Sequence, residues 1–346
     1  MENKHFFPRN FTIVPNPFRA TLLPFLPLPL GLFVFLSIIS CTGIPGAPEG
    51  TRKSPGYETA AAPWEEPDMF PSLDDMKIRW RAYGNSGIQL ISVKITEPPL
   101  EFWALKANLA DPRISILVGP GNSSPGTVLS TKVSSFAEEY ECAAAVNANP
   151  FAPSSGREGE ERQVVGIAVA EGRRIAPADD RYAALVFYPG ARAEVKAQAE
   201  LGDLEAAMIV NAVGGFFVVL EDGTERGNDE RRHPRTAAGL GEGGTALYLL
   251  VVDGRRSESR GATERETGRI LSLLGARDGL ILDGGGSTAL ALREVRESSP
   301  ELGSVRLANV PVHGLWPGAE RAVATCLGIR VGAPPPEAEA PLGTHP

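Results

Sequence analysis

From Gly87 to Gly119 the chain is cut into short runs that are apolar or alternate apolar with polar positions: GIQLISVKIT (87–96), EFWALKA (101–107) and RISILVG (113–119). Pro, Gly and Asp stand between them, so the period of two and the turn residues together predict strands. Ser135 to Glu138 match capping-box spacing, which predicts a short helix reaching about Tyr140. Strand-like runs then resume as ECAAAVNANPF (141–151), QVVGIAVAEG (163–172), YAALVFYPG (182–190), AAMIVNAVGG (206–215), FFVVLEDGT (216–224) and TALYLLVVDG (245–254). Two of these close on Asp-Gly pairs, Asp222-Gly223 and Asp253-Gly254, which read as hairpin turns. One longer helix interrupts the series: Thr263 and Glu266 form a capping box, Ile270, Leu271 and Leu274 make an apolar stripe, and Gly275 stops it. GLIL (279–282) predicts a buried strand that runs into Asp283-Gly284-Gly285-Gly286-Ser287. The pattern therefore gives an α+β fold, a mixed but mostly antiparallel sheet with a few helices, in one domain over residues 76–332.

Upstream the pattern changes. Thr21 to Ser40 is continuously apolar behind Lys4, Arg9 and Arg19, the layout of a secretory signal. Ile38-Ile39-Ser40-Cys41 resembles a bacterial lipobox, which makes residues 1–40 a signal segment and Cys41 the lipidated N-terminus. An uncleaved span is the alternative, disfavoured by Pro24, Pro27 and Pro29. Residues 41–75 carry the lipidated cysteine and a Pro-, Gly- and Glu-rich tether, and 333–346 read as a disordered tail. The expected location is thus the bacterial cell envelope, exported and anchored to the membrane through lipid.

The chain has 346 residues, 42% of them hydrophobic, enough for a sizeable core. Its formal charge of −8 argues against nucleic acid as a partner. Three cysteines give neither a disulfide framework nor a zinc pair; Cys142 and Cys326 lie in apolar contexts and read as core thiols, with one disulfide as the alternative. None of His5, His233, His313 and His345 has metal spacing, so no cofactor and no metal site is expected, with a divalent ion at Asp283 left open.

The glycine run carries the most information. Three glycines directly after a buried strand let the backbone approach a ligand closely. A phosphate loop would need a lysine that is missing, and GGSTA lacks the last glycine of a serine-hydrolase elbow, leaving Ser287 and His313 as a weak acyl-hydrolase pair.

Several motifs occur in order around this run: HPRTAAGL (233–240), LLVVDGRRSESRGATERETGRILSLLGA (249–276), GLILDGGGST (279–288), Asn309 with Pro311, and Glu320-Arg321 before the last strand. Together they resemble the phosphodiester glycosidase family from about Cys142 to Val331. An early segment departs from the family pattern, because Val146-Asn147-Ala148-Asn149-Pro150-Phe151 places a proline where a backbone donor is usual. The resemblance implies a hydrolase acting on sugar 1-phosphodiesters of the N-acetylglucosamine kind, releasing sugar and a phosphomonoester. Such chemistry needs a carboxylate near the anomeric carbon and a cation for the phosphate. Asp283 is the expected carboxylate and Arg235 the expected phosphate ligand, with Arg321 a second cation and Asp253 a further catalytic candidate that a hairpin turn would also explain. Gly284, Gly285, Gly286 and Ser287 are expected to line the substrate, with Asn147 and Asn309 on sugar hydroxyls and Ser259, Gly261 and Thr263 shaping an anion site at a helix start. Glu264 and Glu266 fit the helix dipole, and Trp316 reads as a packed loop aromatic or a stacking face for a sugar. A non-catalytic glycan-binding lipoprotein is the rival class.

Overall fold

The computed structural model describes residues 77–332 except 85, 155–156, 203–206, 296–302 and 315. The signal segment, Cys41, the tether and the tail all lie outside the described residues. Every strand pairing among the described residues is antiparallel, so the expected mixed sheet has no parallel component there. Two α-helices occur among these residues, Val133–Glu139 (α1) and Glu264–Leu274 (α2).

The largest sheet has eight strands in the order Arg81–Ala82, Ile88–Thr96, Pro99–Asn108, Ala246–Val252, Arg235–Leu240, Asp278–Ile281, Val218–Glu221, Thr224–Glu225. Its central strands are buried on both faces, which explains why LYLLVV is a continuous apolar run instead of an alternating one. One face takes the Ile270, Leu271 and Leu274 stripe of α2 against Phe102, Leu250 and Ala237. The other face sends Leu105, Leu249 and Leu280 into the main core, where Leu185 and Val213 of one five-stranded sheet meet Val146 and Leu327 of another. The first five-stranded sheet runs Arg173–Ala176, Ala168–Ala170, Asn211–Gly214, Ala183–Tyr188, Arg192–Ala197, and the second Val305–Leu307, Leu290–Arg293, Ala144–Asn147, Cys326–Val331, Ile114–Gly119. Helix α1 covers the outer face of the second sheet with Val133, Phe136 and Ala137.

The local signals hold unevenly. Thr263 and Glu266 form the capping box of α2, and Gly275 ends it in the left-handed region at φ +106°. Asp222-Gly223 makes its hairpin with both residues at positive φ, pairing Glu221 with Thr224. Asp253-Gly254 does not: no strand returns from it, and Asp253 is a buried hub instead. Helix α1 starts earlier than the Ser135 box predicts, with Lys132 as a cap that makes no side-chain bond. Its free amides are met from elsewhere, by Glu320 on Ser134 N–H (2.9 Å) and by Glu158 on Lys132 N–H (2.8 Å). A cap supplied from 186 residues away leaves no local trace. The 141–151 run is likewise split, pairing only over Ala144–Asn147 and Phe151–Ala152. Cys142 and Cys326 are free and buried, and burial pushes the Cys142 thiol up to about 12.

The glycine run is the passage between two sheets. Leu282 N–H still donates to Thr236 of the large sheet (2.9 Å), whereas Asp283 N–H donates to Ala148 (2.8 Å), just past the Ala144–Asn147 strand of the second five-stranded sheet. Six residues after Asp283, Ala289 N–H bonds Asn147 Oδ1, and the chain then joins that second sheet as Leu290–Arg293.

Candidate active site

Asp283 sits at this junction. Asn147 fixes its main chain, with Nδ2 donating to the Asp283 carbonyl while Oδ1 accepts from Thr236 Oγ1 (2.7 Å) and Ala289 N–H (3.2 Å). Asn147 is fully buried and holds the carboxylate's backbone, with no exposed surface to offer a sugar hydroxyl. The Asp283 carboxyl accepts from Gly284 N–H (3.0 Å) and from the Ser287 hydroxyl. The residue is half-buried at the junction of the two sheets. That burial raises its pKa to about 6, against the pull of Ser287, Arg321 and the Gly284 amide.

The glycines are required by what lies on either side. Gly285 adopts φ +61°, and a Cβ on it would meet an Arg255 guanidinium nitrogen at 3.2 Å. A Cβ on Gly286 would meet Arg321 Nη2 at 2.5 Å. The loop is thus flanked by two guanidinium groups, and each of them is held by a histidine. Arg321 Nε donates to His313 Nδ1 (3.1 Å) and Nη1 to Ser287 Oγ (3.2 Å). Arg255 Nη2 lies 3.3 Å from His233 Nδ1. Because a guanidinium only donates, both Nδ1 atoms accept, and the rings are assigned as neutral with the proton on Nε2. Burial and the nearby arginines lower both histidine pKa values, which keeps them neutral near pH 7. Neither Arg255 nor Arg321 forms an ion pair with a carboxylate among the described residues, although Arg321 feels the attraction of Asp283.

Arg235 is placed differently. In a strand successive side chains face opposite ways: Thr236 faces Asn147, so Arg235 points to the other side of the sheet. There its buried guanidinium donates to the carbonyls of Ala262 (3.0 Å) and Arg231 (3.2 Å), and burial lowers its pKa. Two of its three guanidinium nitrogens thus brace the segments before and after the Asp253 loop. Asp253 is also structural. Its carboxylate accepts from Asn309 Nδ2 (2.9 Å), Val310 N–H (3.1 Å) and Arg256 Nη1 (2.7 Å), and burial raises its pKa against those bonds. Asn309 spends its oxygen on Leu290 N–H (2.8 Å), so it locks the loop after the glycine run and is not available to a sugar.

The expected anion site at the start of α2 is filled by protein contacts. Ser259 Oγ donates to the Asp253 carbonyl (2.7 Å) and accepts from Glu101 N–H (2.9 Å). Thr263 caps α2. Gly261, at φ +98°, leaves no room between itself and the His233 carbonyl, which a Cβ would meet at 2.4 Å. Glu264 accepts from the amides of Asn228 (2.9 Å) and Asp229 (3.2 Å), and Glu266 completes the capping box and pairs with Arg232. Of Trp316 only the main chain is described, paired with His313.

Ser287 is buried, and its hydroxyl serves Asp283 and Arg321, while His313 Nδ1 is engaged by Arg321. The chain after it forms a strand, not the helix of a nucleophile elbow, which removes the acyl-hydrolase arrangement. No group of three or more His, Cys, Asp or Glu converges among the described residues. One carboxylate between two guanidinium groups fits an anion better than a divalent cation.

Arg255 and His233 were not singled out in the sequence. His233 lies inside the HPRTAAGL motif and Arg255 directly after Asp253-Gly254, each among several other charged residues that the sequence does not rank. A non-glycine residue at positive φ (Arg255, +59°) marks the spot in the structure.

The solved structures with similar folds include a hypothetical protein from Synechocystis, with a TM-score of 0.51 and 16% identity over 71% of this chain. The match spans 62% of that protein's length. A second is the catalytic domain of zebrafish N-acetylglucosamine-1-phosphodiester alpha-N-acetylglucosaminidase, auto-inhibited by its pro-peptide. It gives a TM-score of 0.51 and 19% identity, with 73% of this chain and 87% of that one covered. These likenesses establish the fold. No curated sequence matches the chain. The family model for phosphodiester glycosidases matches residues 140–330. That stretch is more than half of the sequence and contains every residue of the Asp283 cluster, so the chain belongs to the phosphodiester glycosidase family.

Proposed function

We propose that the protein hydrolyses sugar 1-phosphodiesters, N-acetylglucosamine-like sugars first among them, and that it does so as an exported lipoprotein anchored through Cys41. The observation that carries the reaction is the pair of guanidinium groups, Arg255 and Arg321, set without an ion-pair partner among the described residues on the two sides of a glycine loop that begins at Asp283. Guanidinium groups match phosphate oxygens in bidentate fashion. A phosphodiester lying across Gly284 to Gly286 meets both and brings the anomeric carbon toward Asp283. The bond between that carbon and the phosphate oxygen breaks, and its electron pair leaves with the oxygen. Water supplies hydroxide to the carbon, and its proton goes to Asp283 in the inverting course. In the retaining course the carboxylate first meets the positive carbon itself. The leaving phosphomonoester is already a stable anion held by two cations, so a separate general acid is unnecessary.

The pKa of about 6 keeps Asp283 mostly ionised above neutrality while burial strips it of water, which suits a base or a charge stabiliser. The test offers purified protein a synthetic N-acetylglucosamine 1-phosphodiester and follows the products by NMR. Free sugar appearing with a phosphomonoester is the expected result, and the first anomer formed tells inversion from retention. Binding without turnover would assign the cleft to a glycan-binding lipoprotein instead. Cys41→Ala is expected to move the protein out of the detergent phase or block its processing; unchanged size and partitioning would remove the lipid anchor.

A further inference from the structure

Arg255 also lines a hollow of about 570 Å³, whose other charged lining residues are four arginines, Arg231, Arg232, Arg256 and Arg260, and one carboxylate, Glu230. Such a concentration stands out in a chain of net charge −8. Three of the five arginines are matched by carboxylates: Arg231 by Asp229, Arg232 by Glu266 and Arg256 by Asp253. Arg255 and Arg260 form no ion pair among the described residues, and both are exposed. The main chain brings these two together, because the 254–260 loop folds back on itself. Arg256 N–H donates to Ser259 (3.0 Å) and Arg255 N–H to Arg260 (3.4 Å). A glycine at 261 permits the close return beside His233.

Two guanidinium groups without a carboxylate partner among the described residues thus line one hollow, which favours an anion there. One of them, Arg255, touches the loop where the scissile phosphate is proposed to lie and also lines the hollow. Arg255 is therefore common to the loop and the hollow. The hollow's size exceeds what one phosphate oxygen needs and admits the body of a leaving group. We infer that the hollow is a second anion subsite, which takes a further phosphate group carried by the leaving-group side of the substrate. The inference rests on the reaction proposed above and narrows its substrate to sugar phosphodiesters with a second negative charge.

The experiment compares two N-acetylglucosamine 1-phosphodiesters on the full-length purified protein, one with a neutral propanol leaving group and one with the same chain ending in phosphate. The phosphate-bearing substrate is expected to have a kcat/KM about tenfold higher, the scale of a charge-assisted pair. Arg260→Gln, at an exposed side chain, is expected to bring the ratio of the two close to one. A ratio near one in the unaltered protein, or a preference that survives Arg260→Gln, overturns the inference. Calorimetric titration with inorganic pyrophosphate reads the subsite without turnover, and Arg260→Gln is expected to weaken it severalfold. If neither substrate is cleaved but this weakening is seen, the subsite stands and the glycosidase reading falls. If pyrophosphate binds the variant and the unaltered protein equally, the subsite falls whatever the enzyme does.

Discussion

The two flanks of the glycine loop use the same pair of residue types and support them in opposite ways. On one side Arg321 is half-buried, bonded to Ser287, and follows Glu320, whose carboxylate is fastened to the first turn of α1. On the other, Arg255 is exposed on a short folded-back loop and holds a positive φ. Both guanidinium groups are steered by a histidine Nδ1, yet one is built into the second five-stranded sheet's surroundings and the other rises from the end of the large sheet. A fixed cation suits the oxygen whose charge grows as the bond breaks, whereas an exposed one suits recognition of what enters.

The largest expected effect lies between the flanks. Asp283→Asn keeps size and most hydrogen bonds but removes the charge, so turnover is expected to fall by about two orders of magnitude or more. Retention of most turnover would leave the two arginines without a carboxylate to serve. Next, Arg321→Lys keeps the charge but loses the planar fork, and a loss of about ten- to a hundredfold in kcat/KM is expected, carried mainly by kcat. Arg255→Lys is expected to cost severalfold and mainly in KM. Equal effects would erase the distinction between the flanks. Smaller still is the effect of Arg235→Lys: with its guanidinium on two backbone carbonyls, it is expected to lower stability by about 1–3 kcal/mol. Its activity losses on a sugar phosphodiester and on an uncharged aryl glycoside of the same sugar should then match. A loss confined to the phosphodiester would return Arg235 to the phosphate.

Glu320→Gln is expected to cost about 0.5–2 kcal/mol of stability, the worth of a helix cap, in a chemical melt. It also sharpens the comparison of the flanks, since it should shift kcat for the Arg321 side and leave pyrophosphate affinity at the Arg255 side unchanged. The smallest expected effect concerns pH. Folding raises the Asp283 pKa to about 6, so the folded state holds a proton that the unfolded chain releases at lower pH. The associated stability is present below the ordinary carboxylate range and is lost as pH rises through about 6. Asp283→Asn should therefore melt higher than the unaltered protein at pH 8, and the gain should vanish at pH 4. Activity should rise with pH through an apparent pKa near 6.

What could be read from the sequence follows the distance over which each signal acts. Asp283 and its glycines are contiguous, so the loop after the buried strand was legible as a place of close approach. So was α2, whose cap, stripe and stop lie within thirteen residues of one another. The role of an arginine is not local. Arg235, Arg255 and Arg321 are alike on paper, and strand parity, a backbone φ and a distant helix decide which of them reaches the loop. Asn147 and Asn309 were visible as polar residues amid apolar ones, but that signal does not say whether the amide faces a ligand or the protein's own backbone. In both cases the buried amides and carbonyls had the prior claim. Asp253-Gly254 misled because a hairpin needs a returning strand, and that is set by the whole sheet.

The main chain of Asp283 is tied to both sheets at once, through its own amide to Ala148 and through the Leu282 amide to Thr236. Neither sheet can part from the other without breaking one of these bonds. The amide proton at Asp283 should then exchange with solvent only when the whole domain opens, at the slowest rate in the molecule, while the Arg255 loop exchanges by local fraying. A carboxylate so placed acts as a clasp: heat or denaturant should displace Asp283 only in the cooperative step that separates the sheets, whereas the Arg255 side can open while the domain stays folded.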